Sequence, residues 1–383
     1  MIAYLDHAAS SPLRPEVLEA LAPFLATQFG HPSSSHRVGR AARAALEEAR
    51  DTVARLLGAE PKEVVFTSGG SEADNLAVLG VLGAAARPGR VVTSAVEHPA
   101  VREPARAAAR YLPGVEHVEA PVDADGAVDL DRLADLLDEQ VALVSVMTAN
   151  NEVGTLQPLA DVLTLTRRLA PRALVHTDAV QAAPWLDLAT VTAGADLVSI
   201  SAHKLGGPKG AGALVVSEGT PLRPLLHGGG QERERRGGTH DVAGAVGLAT
   251  ALAAAVAGRE EEIVRVRALR DRLADGLVDL VPGAAESADR RRVLPGHCHV
   301  RFAGVDHEEL LVLLDDAGVC ASGGSACASG ALEPSPVLAA MGLGGGGVRF
   351  SLGWTTTGTE VEHALEVVPK AVATLAGAGR PRR

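Results

Sequence analysis

The chain has 383 residues, of which 46% are apolar and 22% are charged, proportions typical of a folded globular protein. Its formal net charge of −11 argues against nonspecific nucleic-acid binding, and its three cysteines are too few for a disulfide framework in a chain of this size. No stretch approaches the roughly 20 uninterrupted apolar residues of a membrane span, so we expect a cytoplasmic protein that binds neither membranes nor nucleic acid directly.

Short β-branched segments alternate with helical patterns between about residues 60 and 220. The segments read "EVVFTSG", "RVVTSAVEH", "VALVSVMTAN", "ALVHTD", "ADLVSISAH" and "GALVVS". Near-continuous apolar strands interleaved with helices are typical of a largely parallel sheet that is covered on both faces. The sequence therefore predicts an α/β fold for this part of the chain.

The pattern changes after a long helical stretch from about Val242 to Val281. A strand at "HCHVRFAG", a helix at "HEELLVLLDDAG", a strand at "GVRFSLG" and a closing helix follow. This order indicates a smaller α+β domain. We predict a segment over residues 1–15 that packs with the small domain, a large domain over 16–255 and the small domain, carrying a cysteine loop, over 256–383.

Polar residues follow several predicted strands, where ligands of open parallel sheets bind. A single polar residue at such a place is usually a turn or a helix cap, but here several strands end in this way. Lys204 is the one lysine at this edge, and the chain has only four. A lysine beside acid, amide and imidazole groups indicates a Schiff-base amine, and pyridoxal phosphate is the commonest soluble cofactor that needs one. The other strand-end residues are Ser68 to Ser71, Glu97, His98, Asn150, Asn151, Asp178, Gln181, Ser201 and His203.

The same edge offers the other groups that this cofactor needs. Asp178 can pair with the pyridinium nitrogen. Gly70 and Ser71, in "SGGSEADN", open a predicted helix whose free N–H groups favour a phosphate. The hydroxyl or imidazole groups that could complete the phosphate site belong to Ser201, His203 and Thr239.

These segments together resemble a known family. "YLDHAAS", "FTSGGSEADNLA", "VEHPAV", "NNEVGTLQP", "HTDAVQA", "SAHKLGGPKGAGAL", "HGGGQERERRGGT", "GSACASGALEPSPVL" and "VRFSLG" occur in this order, from Tyr4 to Gly353. They are similar to the cysteine desulfurases, which are fold-type I pyridoxal phosphate enzymes of the class V aminotransferase superfamily. The resemblance implies a large domain with a mainly parallel seven-stranded sheet.

The resemblance also assigns roles to matching positions. Lys204 would bind the cofactor covalently and later move the substrate α-proton, and His98 would stack on the ring as acid or base. Arg349 would bind the substrate carboxylate, which suits a planar bidentate donor. Cys327 would be the nucleophile, with His98 as the candidate base for its thiol. The remaining cofactor contacts would come from Gly70, Ser71, Asn151, Asp178, Gln181, Ser201 and His203, with Asn151 also beside the substrate.

The implied reaction removes sulfur from L-cysteine, leaving L-alanine and a persulfide on Cys327. Thr239 would reach a partner subunit's cofactor, which implies a homodimer. The sulfur acceptor, an iron–sulfur scaffold or a thiolation enzyme, stays open, as does a transient iron–sulfur cluster on Cys327. A selenocysteine lyase, a cysteine sulfinate desulfinase, a same-fold aminotransferase and a non-catalytic scaffold remain alternatives. His31 stands where the family usually has asparagine, so its effect on the pocket rim stays open.

The other two cysteines are expected to be structural. Cys298 lies between His297 and His299, but successive side chains of a strand face opposite sides and cannot converge on one metal ion. Cys320 has apolar neighbours in "GVCAS". We therefore expect no metal site.

Overall fold

The computed structural model describes residues 1–85, 89–324, 335–344 and 346–378. Across these ranges the chain forms twelve strands and eleven α-helices. The strands are β1 Ala3–Tyr4, β2 Val64–Thr67, β3 Arg90–Ser94, β4 Glu116–Ala120, β5 Val141–Ser145, β6 Leu174–Asp178, β7 Leu197–Ser201, β8 Gly212–Val216, β9 Ala284–Glu286, β10 His297–Phe302, β11 Val319–Cys320 and β12 Val348–Ser351. The helices are α1 Pro15–Ala26, α2 Arg37–Leu57, α3 Gly70–Ala84, α4 Pro99–Tyr111, α5 Leu130–Leu136, α6 Leu159–Leu169, α7 Leu188–Val191, α8 Val242–Leu280, α9 His307–Asp316, α10 Pro336–Ala340 and α11 Gly358–Ala378.

The central sheet has seven strands among the described residues, in the order β2-β8-β7-β6-β5-β3-β4. Strand β8 runs antiparallel to both of its neighbours, and the remaining pairings are parallel. The mainly parallel seven-stranded sheet that the resemblance implied is thereby confirmed. Because β3, β5, β6 and β7 are parallel, their carboxyl ends meet at one edge of the sheet.

Successive residues of the central strands enter two different cores. Leu143 and Leu197 pack in the core that contains α3 and α4. Their neighbours Val144 and Val198 pack in the core that contains α2 and α8 on the other face. This alternation explains why the strands read as continuous apolar runs, since both faces of the sheet are covered.

Two smaller sheets lie outside the central one. Strands β9, β10 and β12 form an antiparallel sheet, and β1 pairs in parallel with β11. The N-terminal strand β1 therefore pairs with a strand that lies in the range predicted for the small domain. The predicted domain boundary at residues 255 and 256 falls inside α8, which continues through it without a break.

Helix α8 also has an unusual composition. Among the described helices it is the one long and apolar enough, by those two criteria alone, to cross a membrane. In the fold, 56% of its most apolar 18-residue window is buried. Its leucine and alanine side chains there pack against the central sheet and against α1 and α2, as in the core helix of a globular domain.

Candidate active site

A cavity of 460 Å³ opens at the carboxyl edge of the parallel strands. It brings together most of the site residues predicted from the sequence. Of the residues to which the resemblance gives a role, three are not in its lining: Thr239, Arg349 and Cys327, the last of which lies outside the described residues. The strand-end residues Glu97 and Asn150 do not line it either. The predicted residues that do line it are Gly70, Ser71, His98, Asn151, Asp178, Gln181, Ser201, His203 and Lys204.

Lys204 ends a short 3₁₀ turn that directly follows β7. Its Nζ donates hydrogen bonds to the carbonyl oxygens of Ala8, at 2.5 Å, and Ala9, at 2.9 Å. The Ala8 oxygen also accepts a bond from Gln181 Nε2 at 2.9 Å. The "HAAS" turn near the N-terminus is therefore part of the lysine's environment. The motif is quoted in the sequence analysis, but its backbone has no role there. A contact made by a main-chain carbonyl oxygen does not depend on residue type, so the sequence cannot indicate it.

Asp178 is the last residue of β6 and is buried. Its Oδ1 accepts the backbone N–H of Val180 at 2.9 Å. Burial raises the pKa of Asp178 to about 6, although the Val180 N–H and the charge of Lys204 both favour its ionised form. A buried carboxylate next to a cavity suits a cationic ligand group such as a pyridinium, because the charge pair offsets its desolvation.

Two further carboxyl groups lie close behind Asp178. Burial and the charge of Asp178 raise the pKa of Asp74 well above its usual range, and burial raises that of Glu97 to about 8. An isolated buried charge costs several kcal/mol, so burial favours the neutral form of both groups. Asp178 is left as the anion of this trio. Sequence reasoning missed Asp74, although it lies in the quoted "SGGSEADN" segment.

His176 joins this buried group from the interior of β6. Its Nδ1 and Nε2 hydrogen bond to Ser145 Oγ at 2.8 Å and Ser199 Oγ at 3.0 Å, and Nε2 lies 3.6 Å from Asp74 Oδ1. Burial lowers the pKa of His176 to about 3, so the ring is neutral. A line of neutral polar groups thus crosses the sheet below Asp178.

The other end of the cavity is built for an anion. Helix α3 begins at Gly70, and Gly69 before it has φ +143°, which side chains other than glycine rarely adopt. A Cβ on Gly212 of β8 would lie 2.7 Å from the Cα of Gly69, so the two backbones touch. Ser201 Oγ is buried and lacks a hydrogen-bond partner among the described residues. Free helix N–H groups and an unused hydroxyl are the donors that a phosphate needs.

His98 precedes α4 and caps it. Its Nδ1 accepts the backbone N–H of Ala100 at 3.1 Å. Burial, together with the charges of Lys204 and Arg102, lowers the pKa of His98 to about 4. The imidazole is therefore neutral near pH 7, and the Ala100 bond places its proton on Nε2. In this tautomer His98 donates from Nε2.

Thr239 lines a separate cavity of 130 Å³ that shares Ser68 and Gly210 with the main one. The loop that carries Thr239 is anchored by Glu232, which receives two bonds from the Arg50 guanidinium at 2.7 and 2.8 Å. Burial opposes the charge of Glu232, but its bonds to Arg50 and His240 lower its pKa to about 2. Thr239 is thus held beside its own chain's site and not inside it.

Arg349 lies on β12 and is 2% exposed. Its Nη1 donates to the backbone oxygen of Asn151 at 2.8 Å, and its Nη2 to Asp6 Oδ1 at 2.8 Å. Asn151 Oδ1 has no hydrogen-bond partner among the described residues. Arg349 therefore contacts the cavity lining through the Asn151 backbone.

Known proteins resemble the chain over nearly its full length. The sequence profile of the class-V aminotransferase family matches residues 3–364. An IscS-like cysteine desulfurase of Mycobacterium tuberculosis is 45% identical over 402 residues, with 100% of both chains covered. The cysteine desulfurase NifS of Azotobacter vinelandii is 42% identical, covering 97% of this chain and 93% of its own. The solved structure of a NifS-like protein matches with a TM-score of 0.91 at 36% identity, covering 98% of this chain and all of its own.

The neutral Glu97 predicts a pH-dependent stability. Between its ordinary pKa of 4.5 and about 8, the folded state holds a proton that the unfolded state lacks, so the free energy of unfolding falls as pH rises. Relative to that of Glu97→Gln, the free energy of unfolding of the wild type should fall by roughly 1.4 kcal/mol per pH unit in this window. Urea unfolding of both proteins across the window measures the difference. A difference that does not change with pH would contradict a neutral Glu97.

Proposed function

This chain belongs to the class-V aminotransferase family, as a cysteine desulfurase, and from that premise we propose how its own residues move the sulfur of L-cysteine. The observation that carries the proposal is the cavity in which a lysine amine, a buried carboxylate and a helix N-terminus face one another. These three groups match the aldehyde, the ring nitrogen and the phosphate of pyridoxal phosphate. When bound, this cofactor supplies an electron sink for the charge left on the substrate α-carbon.

The residues present fit that cofactor. Lys204 is its covalent anchor, and Asp178 holds the pyridinium charge. Gly70, Ser71, Ser201 and His203 bind the phosphate. Two observations support this assignment, because both fit an anion at the start of α3: Ser201 Oγ has no hydrogen-bond partner in the described part of the chain, and the backbones of Gly69 and Gly212 approach closely. Gln181 and Asn151 also line the cavity and would lie beside the ring.

Sulfur removal then needs three steps from the chain itself. Arg349 binds the carboxylate of L-cysteine and gives up its bond to Asp6. Lys204 Nζ takes the α-proton. The Cys327 thiolate attacks the substrate sulfur, so that a sulfur–sulfur bond forms and the carbon–sulfur bond breaks. The electron pair of the broken bond stays on the carbon that carried the sulfur, and this carbon takes up a proton. Lys204 returns a proton to the α-carbon, so that L-alanine is released and Cys327 is left as a persulfide.

His98 acts in this scheme as a donor. The tautomer that its bond to Ala100 selects carries the proton on Nε2, where it can stabilise negative charge on the ring or on sulfur. Accepting the proton of the Cys327 thiol would require His98 to release Ala100 first. We therefore propose that His98 is a hydrogen-bond donor in the resting site.

We propose an iron–sulfur assembly protein as the sulfur acceptor. The support is the relatives named IscS and NifS at 42 to 45% identity. The cytoplasm is the matching compartment, since its reducing conditions keep Cys327 a thiol.

Removing the lysine amine should separate cofactor binding from folding. Lys204→Ala should lose the visible absorbance of the lysine-bound cofactor and at least about a hundredfold in turnover, while keeping the wild-type circular dichroism. Absorbance spectra and sulfide release measure the two effects. A colourless wild type after incubation with pyridoxal phosphate would refute the cofactor assignment.

Removing the nucleophile should leave the cofactor in place. Cys327→Ser should keep the visible absorbance and its change on adding L-cysteine, but form no protein persulfide, because a hydroxyl cannot hold sulfane sulfur. Cys320→Ser is the matched control and should behave as wild type. Mass spectrometry after thiol alkylation identifies the persulfide, and undiminished turnover in Cys327→Ser would exclude the nucleophile role.

We also propose that the active form is a homodimer in which Thr239 serves the partner's site. Its position outside the cavity of its own chain supports this arrangement. Mixing inactive Lys204→Ala with an impaired Thr239→Ala protein should restore roughly a quarter of wild-type activity, since each mixed dimer has one complete site. Mixed dimers can be purified through two different tags. If they recover no activity, Thr239 acts in the active site of its own chain.

A further inference from the structure

Glu152 is a buried carboxyl group to which the reaction above gives no task. It follows Asn151 in the chain and is 4% exposed. Burial raises its pKa, while a bond from Ser335 and the charge of Arg349 favour the ionised form. The turn that carries it is rigid, because Asn150 Oδ1 accepts the backbone N–H groups of Glu152 and Val153 at 2.8 and 2.9 Å.

Glu152 contacts the residues on both sides of the segment 325–334, which contains Cys327 and lies outside the described residues. On the C-terminal side, Ser335 Oγ donates to Glu152 Oε2 at 2.5 Å. The same hydroxyl accepts the N–H groups of Val337 and Leu338 and so caps α10. Ser335, which directly follows this segment in the chain, is thus hydrogen bonded to Glu152.

On the N-terminal side, Gly324 packs directly on the Glu152 side chain. It has φ +84°, and a Cβ added to it would lie 3.1 Å from Glu152 Oε2 and 3.2 Å from Glu152 Cβ. Its N–H donates to Ser322 Oγ at 3.2 Å. Glycine is required here both for the positive φ and for the close approach.

The same cluster includes the arginine assigned to the substrate carboxylate. Ser322 and Arg349 exchange backbone hydrogen bonds of 2.7 and 3.2 Å. The Arg349 side chain in turn bonds the Asn151 oxygen, one residue before Glu152. Substrate carboxylate site, cavity lining and both ends of the Cys327 segment therefore meet around one side chain.

We infer that Glu152 is a positioning residue for sulfur transfer: by holding Gly324 and Ser335, it fixes where the segment carrying Cys327 leaves and rejoins the fold relative to Arg349 and Asn151. The inference rests on the proposed function for its effect on turnover. It assigns Glu152 no contact with substrate or cofactor. Gln has the same shape as Glu and can accept the hydrogen bond from Ser335, so Glu152→Gln should preserve the positioning function. Glu152→Ala should not.

The first measurement is the rate of persulfide formation on Cys327 in a single turnover. Glu152→Ala should slow it about tenfold or more, since loss of positioning by an ångström has effects of that size. The KM for L-cysteine and the visible absorbance should stay close to wild type. Glu152→Gln should recover the rate to within about threefold, and Ser335→Ala should fall between the two. An unchanged rate in Glu152→Ala would overturn the inference.

Controls separate positioning from general destabilisation. Thr356→Ala removes another buried hydroxyl, which bonds the Gly353 N–H at 2.9 Å. It should lower thermal stability without slowing persulfide formation. If Glu152→Ala lost its visible absorbance or its folded circular dichroism, the residue would be structural and the inference wrong.

A second measurement does not depend on the enzyme's chemistry. Alkylation of Cys327 by iodoacetamide, relative to Cys320 in the same protein, should become roughly threefold faster in Glu152→Ala, because both ends of the segment lose their anchor. Glu152→Gln should not change the ratio. If the alkylation ratio of Cys327 to Cys320 is unchanged in Glu152→Ala, Glu152 does not anchor the segment, whether or not the proposed function is right. If the ratio changes but the wild type forms no persulfide, only the proposed function is wrong.

Discussion

The parallel pairing of β6 with β7 is the constraint on which the site depends. It sets Asp178 opposite Ser199 and sends both strands toward the same edge. Asp178 then ends one strand, and Lys204 follows the other by three residues. Backbone hydrogen bonds between the two strands thus place the Asp178 carboxyl group and the Lys204 amine at one cavity.

The electrostatic character of the site depends on the protonation of the buried carboxyl groups beside the cavity. Three carboxyl groups are buried together, and the interior cannot hold three charges at a cost of several kcal/mol each. Asp74 and Glu97 have strongly raised pKa values, while Asp178 has the Val180 N–H and Lys204 to favour its charge. The raised pKa values of Asp74 and Glu97 limit the negative charge that is buried beside Asp178, which favours the ionised form of Asp178.

The C-terminal part of the chain completes the substrate side of the site. Strand β12 holds Arg349 against Asn151, and its pairing with Ser322 ties the same strand to the start of the Cys327 segment. Glu152 then connects both ends of that segment to the turn beside the cavity. Arg349 and the residues on both sides of the Cys327 segment therefore all contact one short stretch of backbone, Asn150 to Glu152.

The α/β class, the strands and their polar ends could be predicted from the sequence, since apolar runs and strand-end residue types are local features. The order of the motifs was enough to indicate the family, and nine of the predicted residues do meet in one cavity. The contacts of Ala8, Asp74 and Glu152, in contrast, became visible only in the folded chain. A carbonyl contact, a proton forced onto a buried acid and a side chain clamped between Gly324 and Ser335 all arise from residues distant in the chain. No local pattern records such contacts, because they depend on packing and burial and not on residue type.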